Sequence, residues 1–235
     1  MPDGVFATAA NLIALGGPVV AILIGLSIVA LALILLKVYQ FAVLKVGSHW
    51  SAGEALALWS SDRRREAAER LTGSRSPVAE VLSVTMRLAA HDSVPKQVME
   101  DEAGRVAQER LYRLRRGFRA LEAIAQIAPL LGLFGTVLGM IEAFRTLQSA
   151  GNAVDPSVLA GGIWVALLTT AVGLAVAMPV SLVLTWFESR VEGERVAIET
   201  MSTRLLSEWQ MLHLAQEPEP QSRIVRFTEH SGHAH

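Results

Sequence analysis

Three stretches of the chain carry no charge: Gly4 to Leu36, Ala123 to Ile141 and Pro156 to Phe187. A helix that crosses the hydrocarbon core of a bilayer needs roughly 20 apolar residues. Each stretch is long enough, and the pattern predicts spans at 18–36, 123–146 and 158–187. Gly16-Gly17-Pro18 interrupts the first stretch. Proline removes a backbone donor and clashes with the preceding turn, so residues 4–15 are expected as a separate short helix in the membrane interface. Only Asp3 is charged before Lys37, whereas a cleaved signal begins with a basic region; this stretch is read as a retained span.

The segment between the first two spans reads as helical. Ser51-Ala52-Gly53-Glu54 has the spacing of a capping box. A second short helix follows Asp62 and stops near Gly73, and Ser76-Pro77 opens a third that runs to about Ala90, with proline at the first helical position. From Pro95 a helical pattern continues towards the second span. Asp101/Arg105 and Glu109/Arg113 stand four apart with the acid first, the favourable order. Leu111, Leu114, Phe118 and Leu121 share one face, and no breaker intervenes until Pro129, so one continuous helix is expected to carry the second span outwards. The third span is expected to continue likewise through 188–216, after which Glu217-Pro218-Glu219-Pro220 ends regular structure and 217–235 reads as a disordered tail.

Orientation follows from the basic residues. Lys37 and Lys45 follow the first span, Arg113, Arg115, Arg116 and Arg119 precede the second, and Arg190 and Arg195 follow the third. The positive-inside rule then places 37–122 and 188–216 in the cytoplasm, and 1–17 and 147–157 on the periplasmic side. The fold class is all-α: a polytopic membrane protein with three transmembrane helices, the second and third extended into the cytoplasm.

Composition agrees with that reading. Of 235 residues, 51% are hydrophobic and 18% charged, with a net charge of −1, a balance that argues against a nucleic-acid binder. Without cysteine there are no disulfides, thiolate metal sites or cysteine nucleophiles. No nucleotide loop and no Ser/His/Asp set is present, so no enzyme and no cofactor is expected. His230, His233 and His235 have nothing rigid to orient them towards a metal. The Arg63-Arg64-Arg65 run reads as a solvated face, with contact to anionic lipid as the alternative.

The residues that could do chemistry lie in the second and third spans. Ala128, Gly132, Gly135, Thr136, Gly139 and Ala143 recur at steps of about three and four, as do Gly162, Ala166, Thr169, Thr170, Gly173 and Ala177. Small residues let helices approach closely in lipid, so both stripes read as helix–helix interfaces. The hydroxyls of Thr136, Thr169 and Thr170 either line a wet path or bond back to the carbonyl a turn earlier. Pro129 and Pro179 each free a carbonyl and bend a span, read here as packing geometry. Glu142 is the one acid near a span interior; it is either a functional intramembrane acid or half of an i,i+3 ion pair with Arg145. Trp186 suits an interface belt, and Trp164 packs deeper.

Ala128-Pro-Leu-Leu-Gly-Leu-Phe-Gly-Thr-Val-Leu-Gly139 resembles the second-span signature of the MotA/TolQ/ExbB channel proteins, and Ala166-Leu-Leu-Thr-Thr-Ala-Val-Gly-Leu-Ala-Val-Ala-Met-Pro179 their third-span signature. The resemblance implies a homo-oligomer, a pentamer around a central pore lined by the second and third spans. It implies a single-span partner of the ExbD/TolR type inside that pore, whose aspartate takes up and releases the proton, and a TonB/TolA-type protein through which ion flow does work on the cell envelope. By position, Thr136 and Thr170 match the family's pore-lining threonines. Many ExbB and TolQ proteins carry a glutamate five residues before the second of these; here that position is Val165, so the partner's aspartate is expected to supply the titrating group. An ion-driven inner-membrane motor subunit is the first reading; a non-conducting scaffold that holds a partner helix is the second.

Overall fold

The computed structural model describes residues 3–91, 93–149 and 156–216, and these are helices and connecting turns, with no strand among them. The elements are α1 (Asp3–Val43), α2 (Trp50–Ser60), α3 (Arg64–Leu71), α4 (Pro77–Ala89), α5 (Lys96–Arg115), α6 (Phe118–Ser149) and α7 (Pro156–Gln216). The expected tail 217–235, with its three histidines, and most of the 147–157 loop lie outside the described residues.

Three helical stretches are long and apolar enough to cross a membrane: Gly17–Val43, one within Lys96–Ser149 and one within Leu159–Leu214. At 1.5 Å per residue the 61-residue α7 is about 90 Å long. That is about three times the thickness of a bilayer's hydrocarbon core, so α7 must project far beyond it. The helix runs unbroken through Pro179, as α6 does through Pro129. In α1, Gly17 has φ +65° and ψ −159°, outside the helical region, and divides the helix at the Gly-Gly-Pro step.

Two cores hold the chain together. The short helices α2, α3, α4 and α5 form a lobe around the far half of α7. Leu56, Trp59, Leu82, Met86 and Met99 pack there against Ile198, Leu205 and Trp209. The Trp209 indole N–H also donates to Ala89 O at 3.2 Å. Nearer the spans, Phe41 of α1, Leu114 of α5, Phe118 and Leu121 of α6 and Phe187 of α7 form the second core. Its centre is aromatic: Phe187 lies 5.1 Å from Phe41 and 5.9 Å from Phe118 between ring centroids, within the range in which such pairs attract.

The sequence pattern led to three expectations that the structure corrects. The helix from Pro95 does not continue into the second span: Arg116 is extended and Gly117 has φ +94°. Because glycine adopts this left-handed conformation without strain, the chain breaks there and α6 starts anew. Ser51 does not cap α2, since that helix begins one residue earlier, at Trp50, and His49 at its N-cap makes no side-chain bond. Arg105 pairs with Glu102 at 2.7 Å and Glu109 at 3.6 Å, while Asp101 accepts from Gln97. Glu109 and Arg113 do pair.

Two buried polar residues lock the break and the α1–α2 turn. Lys37, only 8% exposed, donates to Leu114 O at 2.9 Å and Gln40 Oε1 at 2.8 Å. Leu114 O is one of the carbonyls stranded when α5 ends, and a cation at a helix C-terminus is favoured. Glu194 of α7 is fully buried. Its Oε1 accepts from the Gly47 N–H and from His49 Nε2 at 3.0 Å, while Oε2 has no partner. Glu194 continues the buried row Phe187, Val191, Ile198 at steps of four, three and four, a periodicity that the sequence displays but that its charge disguises.

Gly117→Ala is expected to destabilise the protein by about 1–2 kcal/mol, the cost of a left-handed conformation for an L-residue. The added Cβ would meet only Lys37 Cε at 3.5 Å, so backbone strain dominates. Gly104→Ala, mid-helix and in open space, is expected to stabilise by about 0.5–1 kcal/mol. Reversible unfolding in mixed detergent micelles measures both, and equal midpoints for the two variants would refute the assignment.

Candidate functional site in the α6–α7 seam

The antiparallel helices α6 and α7 meet along their small residues. Where a side chain is missing, the partner fills the space. A Cβ on Gly173 would lie 2.6 Å from Ala128 O and 3.1 Å from Gly132 Cα. One on Gly132 would lie 2.9 Å from Thr169 O and 3.0 Å from Thr170 Cα. Further along, Gly135 faces Thr169, Gly139 faces Ala166 and Gly162 faces Ala143, with a Cβ on Gly162 only 2.6 Å from Ala143 Cβ. The two stripes are thus one backbone-to-backbone seam, as close packing in lipid requires.

Polar groups enter the seam at one level. Thr169 is 2% exposed, and its Oγ1 lies 2.7 Å from Ala166 O and 3.1 Å from Gly132 O; with one proton, the hydroxyl shares it between the two carbonyls. Thr170, half-buried at the edge of the seam, donates to the same Gly132 O at 3.2 Å. Thr136 stands one helical turn beyond Gly132, on the same side of α6. It is also half-buried, and its Oγ1 donates to Leu133 O at 2.6 Å. The structure therefore gathers Thr169, Thr170 and Gly132 at one point, with Thr136 a turn away. A carbonyl has two lone pairs, so Gly132 O can keep its bond within α6 and take one hydroxyl from α7 at a time, for which Thr169 and Thr170 compete.

The other candidate residues fall apart from this point. Glu142 lies two to three turns towards the end of α6 and is exposed; Arg145 is exposed as well, and the i,i+3 ion pair, one of the two readings of Glu142, does not form. The Glu142 backbone carbonyl accepts from Thr146 Oγ1 at 2.9 Å. Thr136 and Arg145 instead line an open hollow with Val137, Met140, Ile141 and Phe144. Pro129 is half-buried and Pro179 exposed, and Val165 is half-buried beside Ala166. Trp164 is 66% exposed on this chain, because Ala166 and Gly162 occupy the seam and turn it away from α6.

Gly173→Ala is expected to cost about 1–3 kcal/mol, the range for overpacking a tight interior, since its Cβ would strike backbone that cannot rotate away. Gly161→Ala, helical and with nothing within 4 Å, is expected to stabilise by about 0.5–1 kcal/mol, as at Gly104, and unfolding in mixed micelles compares the two. Thr169→Val, which keeps the shape and removes the hydroxyl, is expected to cost about 0.6 kcal/mol and no more than about 1.7 kcal/mol. A larger loss in the same titration would mean that Thr170 does not take over the bond to Gly132 O.

Residues 74–200 match the family described as MotA/TolQ/ExbB proton channel family. Over 92 residues the chain is 46% identical to the biopolymer transport protein exbB1 of Vibrio cholerae serotype O1, covering 39% of this chain and 40% of that protein. It is 34% identical over 134 residues to a putative biopolymer transport protein ExbB homolog of Methanothermobacter thermautotrophicus, covering 57% and 46%. It is 28% identical over 175 residues to a putative ExbB-like biopolymer transport protein of Synechocystis sp., covering 74% and 82%. The chain thus spans less than half the length of the first two of these relatives. The family match takes in α4, α5, α6 and most of α7, including the whole seam with Gly132, Thr136, Thr169 and Thr170. With more than half of its residues inside that match and three apolar helices able to span a bilayer, this multi-pass membrane protein belongs to the MotA/TolQ/ExbB proton channel family.

Proposed function

We propose that this protein is the channel subunit of a motor in the bacterial inner membrane, which uses the proton motive force to energise transport or mechanical work at the cell envelope. Copies of the chain, five in the arrangement that the resemblance implies, surround a pore lined by α6 and α7. The lobe and the far half of α7 lie in the cytoplasm, following the basic residues that flank the spans. A single-span partner of the ExbD/TolR type occupies the pore, and a TonB/TolA-type protein receives the work.

One observation carries the reading. In a stretch of membrane helix without charge, the half-buried Thr170 hydroxyl meets the Gly132 carbonyl, with the half-buried Thr136 hydroxyl a turn away. Hydroxyls in this position offer a passing ion or bound water alternating donors and acceptors. Thr169, sealed in the seam, acts indirectly by fixing the Gly132 carbonyl. Glu142 stands at the outer mouth of the pathway. With valine at 165, the seam supplies no titrating group, so the carboxylate that loads and releases the proton belongs to the partner. Moving one charge through 100 mV yields ~2.3 kcal/mol, enough for a few ions to drive a rearrangement of the partner within a rigid ring.

Val165 also favours a second reading, a scaffold that holds the partner helix and conducts nothing. Ion flux in liposomes separates the two. Proton and sodium gradients are imposed in turn on the chain alone, on the chain with its single-span partner, and on Thr170→Val with the partner. Flux is expected to need the partner and to fall about tenfold in Thr170→Val, or ~1.4 kcal/mol on the barrier. A fully assembled complex that passes neither ion would establish the scaffold.

A further inference from the structure

Where α1 leaves its apolar run, a groove of about 370 Å³ separates it from the lobe. Tyr39 and Gln40 of α1 form one wall, and Arg75, Arg110 and Arg113 the other. The arginines differ in how they are engaged. Arg110 pairs with Glu80 and Arg113 with Glu109. Arg75 is exposed and has no ion pair among the described residues. Glu80 and Glu109 engage two of the three guanidinium groups, and Arg75 supplies one unmatched positive charge. The groove thus carries excess positive charge and one unengaged guanidinium.

The α1 wall continues into a lipid-facing surface. Leu35 and Tyr39, one turn apart, are 60% and 71% exposed, and Leu36 beside them is 65% exposed. An apolar strip that ends in a basic groove at the membrane boundary suits an amphiphile whose chains lie along the helix and whose anionic end enters the groove. Basic pockets beside spanning helices are known to take phospholipid head groups in this way, and a guanidinium matches a phosphate's oxygens in pairs.

We propose that this groove is a binding site for the phosphodiester head group of an anionic phospholipid, held chiefly by Arg75, with its acyl chains along Leu35, Leu36 and Tyr39. The site depends on the three-span fold and not on ion conduction, so a chain that passes no ions would still bind the lipid. Bound lipid would tie α1, which makes no ion pair with either among the described residues, to the start of α4 and the end of α5.

Native mass spectrometry of the full chain in detergent tests the site with phosphatidylglycerol, phosphatidylcholine and glycerol phosphate. The variants are Arg75→Gln, Arg75→Lys and Arg65→Gln, the last removing an exposed positive charge outside the groove. The parent is expected to retain phosphatidylglycerol over phosphatidylcholine, and Arg75→Gln to lose about fivefold of it, the effect of one arginine near an anionic surface. Arg75→Lys should restore most of the retention, Arg65→Gln should match the parent, and excess glycerol phosphate should not displace the lipid. Unchanged retention in Arg75→Gln, or an equal loss in Arg65→Gln, would overturn the site. Displacement by glycerol phosphate would overturn the lipid in favour of a free phosphate ligand. Thermal unfolding of each variant confirms that Arg75, being exposed, is replaced without loss of fold.

Discussion

The approach of Gly173 to Ala128 O and Gly132 sets the geometry of everything between α6 and α7. In lipid the burial of apolar surface does not drive helices together, so dispersion over a close, continuous contact must do so. The seam provides this contact by leaving out side chains on alternate helices: glycine at 132, 135, 139, 162 and 173, alanine at 128, 143 and 166. Closeness also decides the polar chemistry. Thr169 and Thr170 reach Gly132 O only because no Cβ on either glycine holds the backbones apart. A threonine beyond the reach of the partner helix satisfies itself on its own turn, as Thr136 does with Leu133 O.

A different principle operates where the spans meet the lobe. There the chain turns sharply, at Gly47 and at Gly117, both with positive φ, and backbone groups are left without helical partners. Buried charged side chains satisfy part of this need: Lys37 for the end of α5, Glu194 for the turn after α1. Leaving a buried polar group unpaired costs about 1–3 kcal/mol, which these contacts avoid for the Leu114 carbonyl and the Gly47 N–H. Around these polar contacts the rings of Phe41, Phe118 and Phe187 exclude water. Since α7 passes unbroken through seam, joint and lobe, displacement of its membrane half reaches the lobe through one rigid element.

Much was legible in the sequence because the bilayer imposes strong, local demands. Apolar length alone marked the three spanning helices, and glycine spacing alone marked the faces by which α6 and α7 meet. The 61-residue run of α7 could be read from its lack of breakers, and the α3 and α4 helices from Asp62, Gly73 and Ser76-Pro77. What the sequence left open was decided by contacts between residues far apart in the chain. Gly117 is an ordinary residue in a helical pattern; it becomes a break because Lys37, eighty positions earlier, caps the carbonyl that the break exposes. Glu194 reads as a surface charge until a turn near residue 47 folds over it. The three threonines look alike in sequence, yet the antiparallel register seals Thr169 between the helices, places Thr170 at the edge and leaves Thr136 on its own turn. Periodicity fixes which face of a helix is small or apolar, but only the partner that packs against that face determines which of its polar groups are buried, which are paired and which remain free to act.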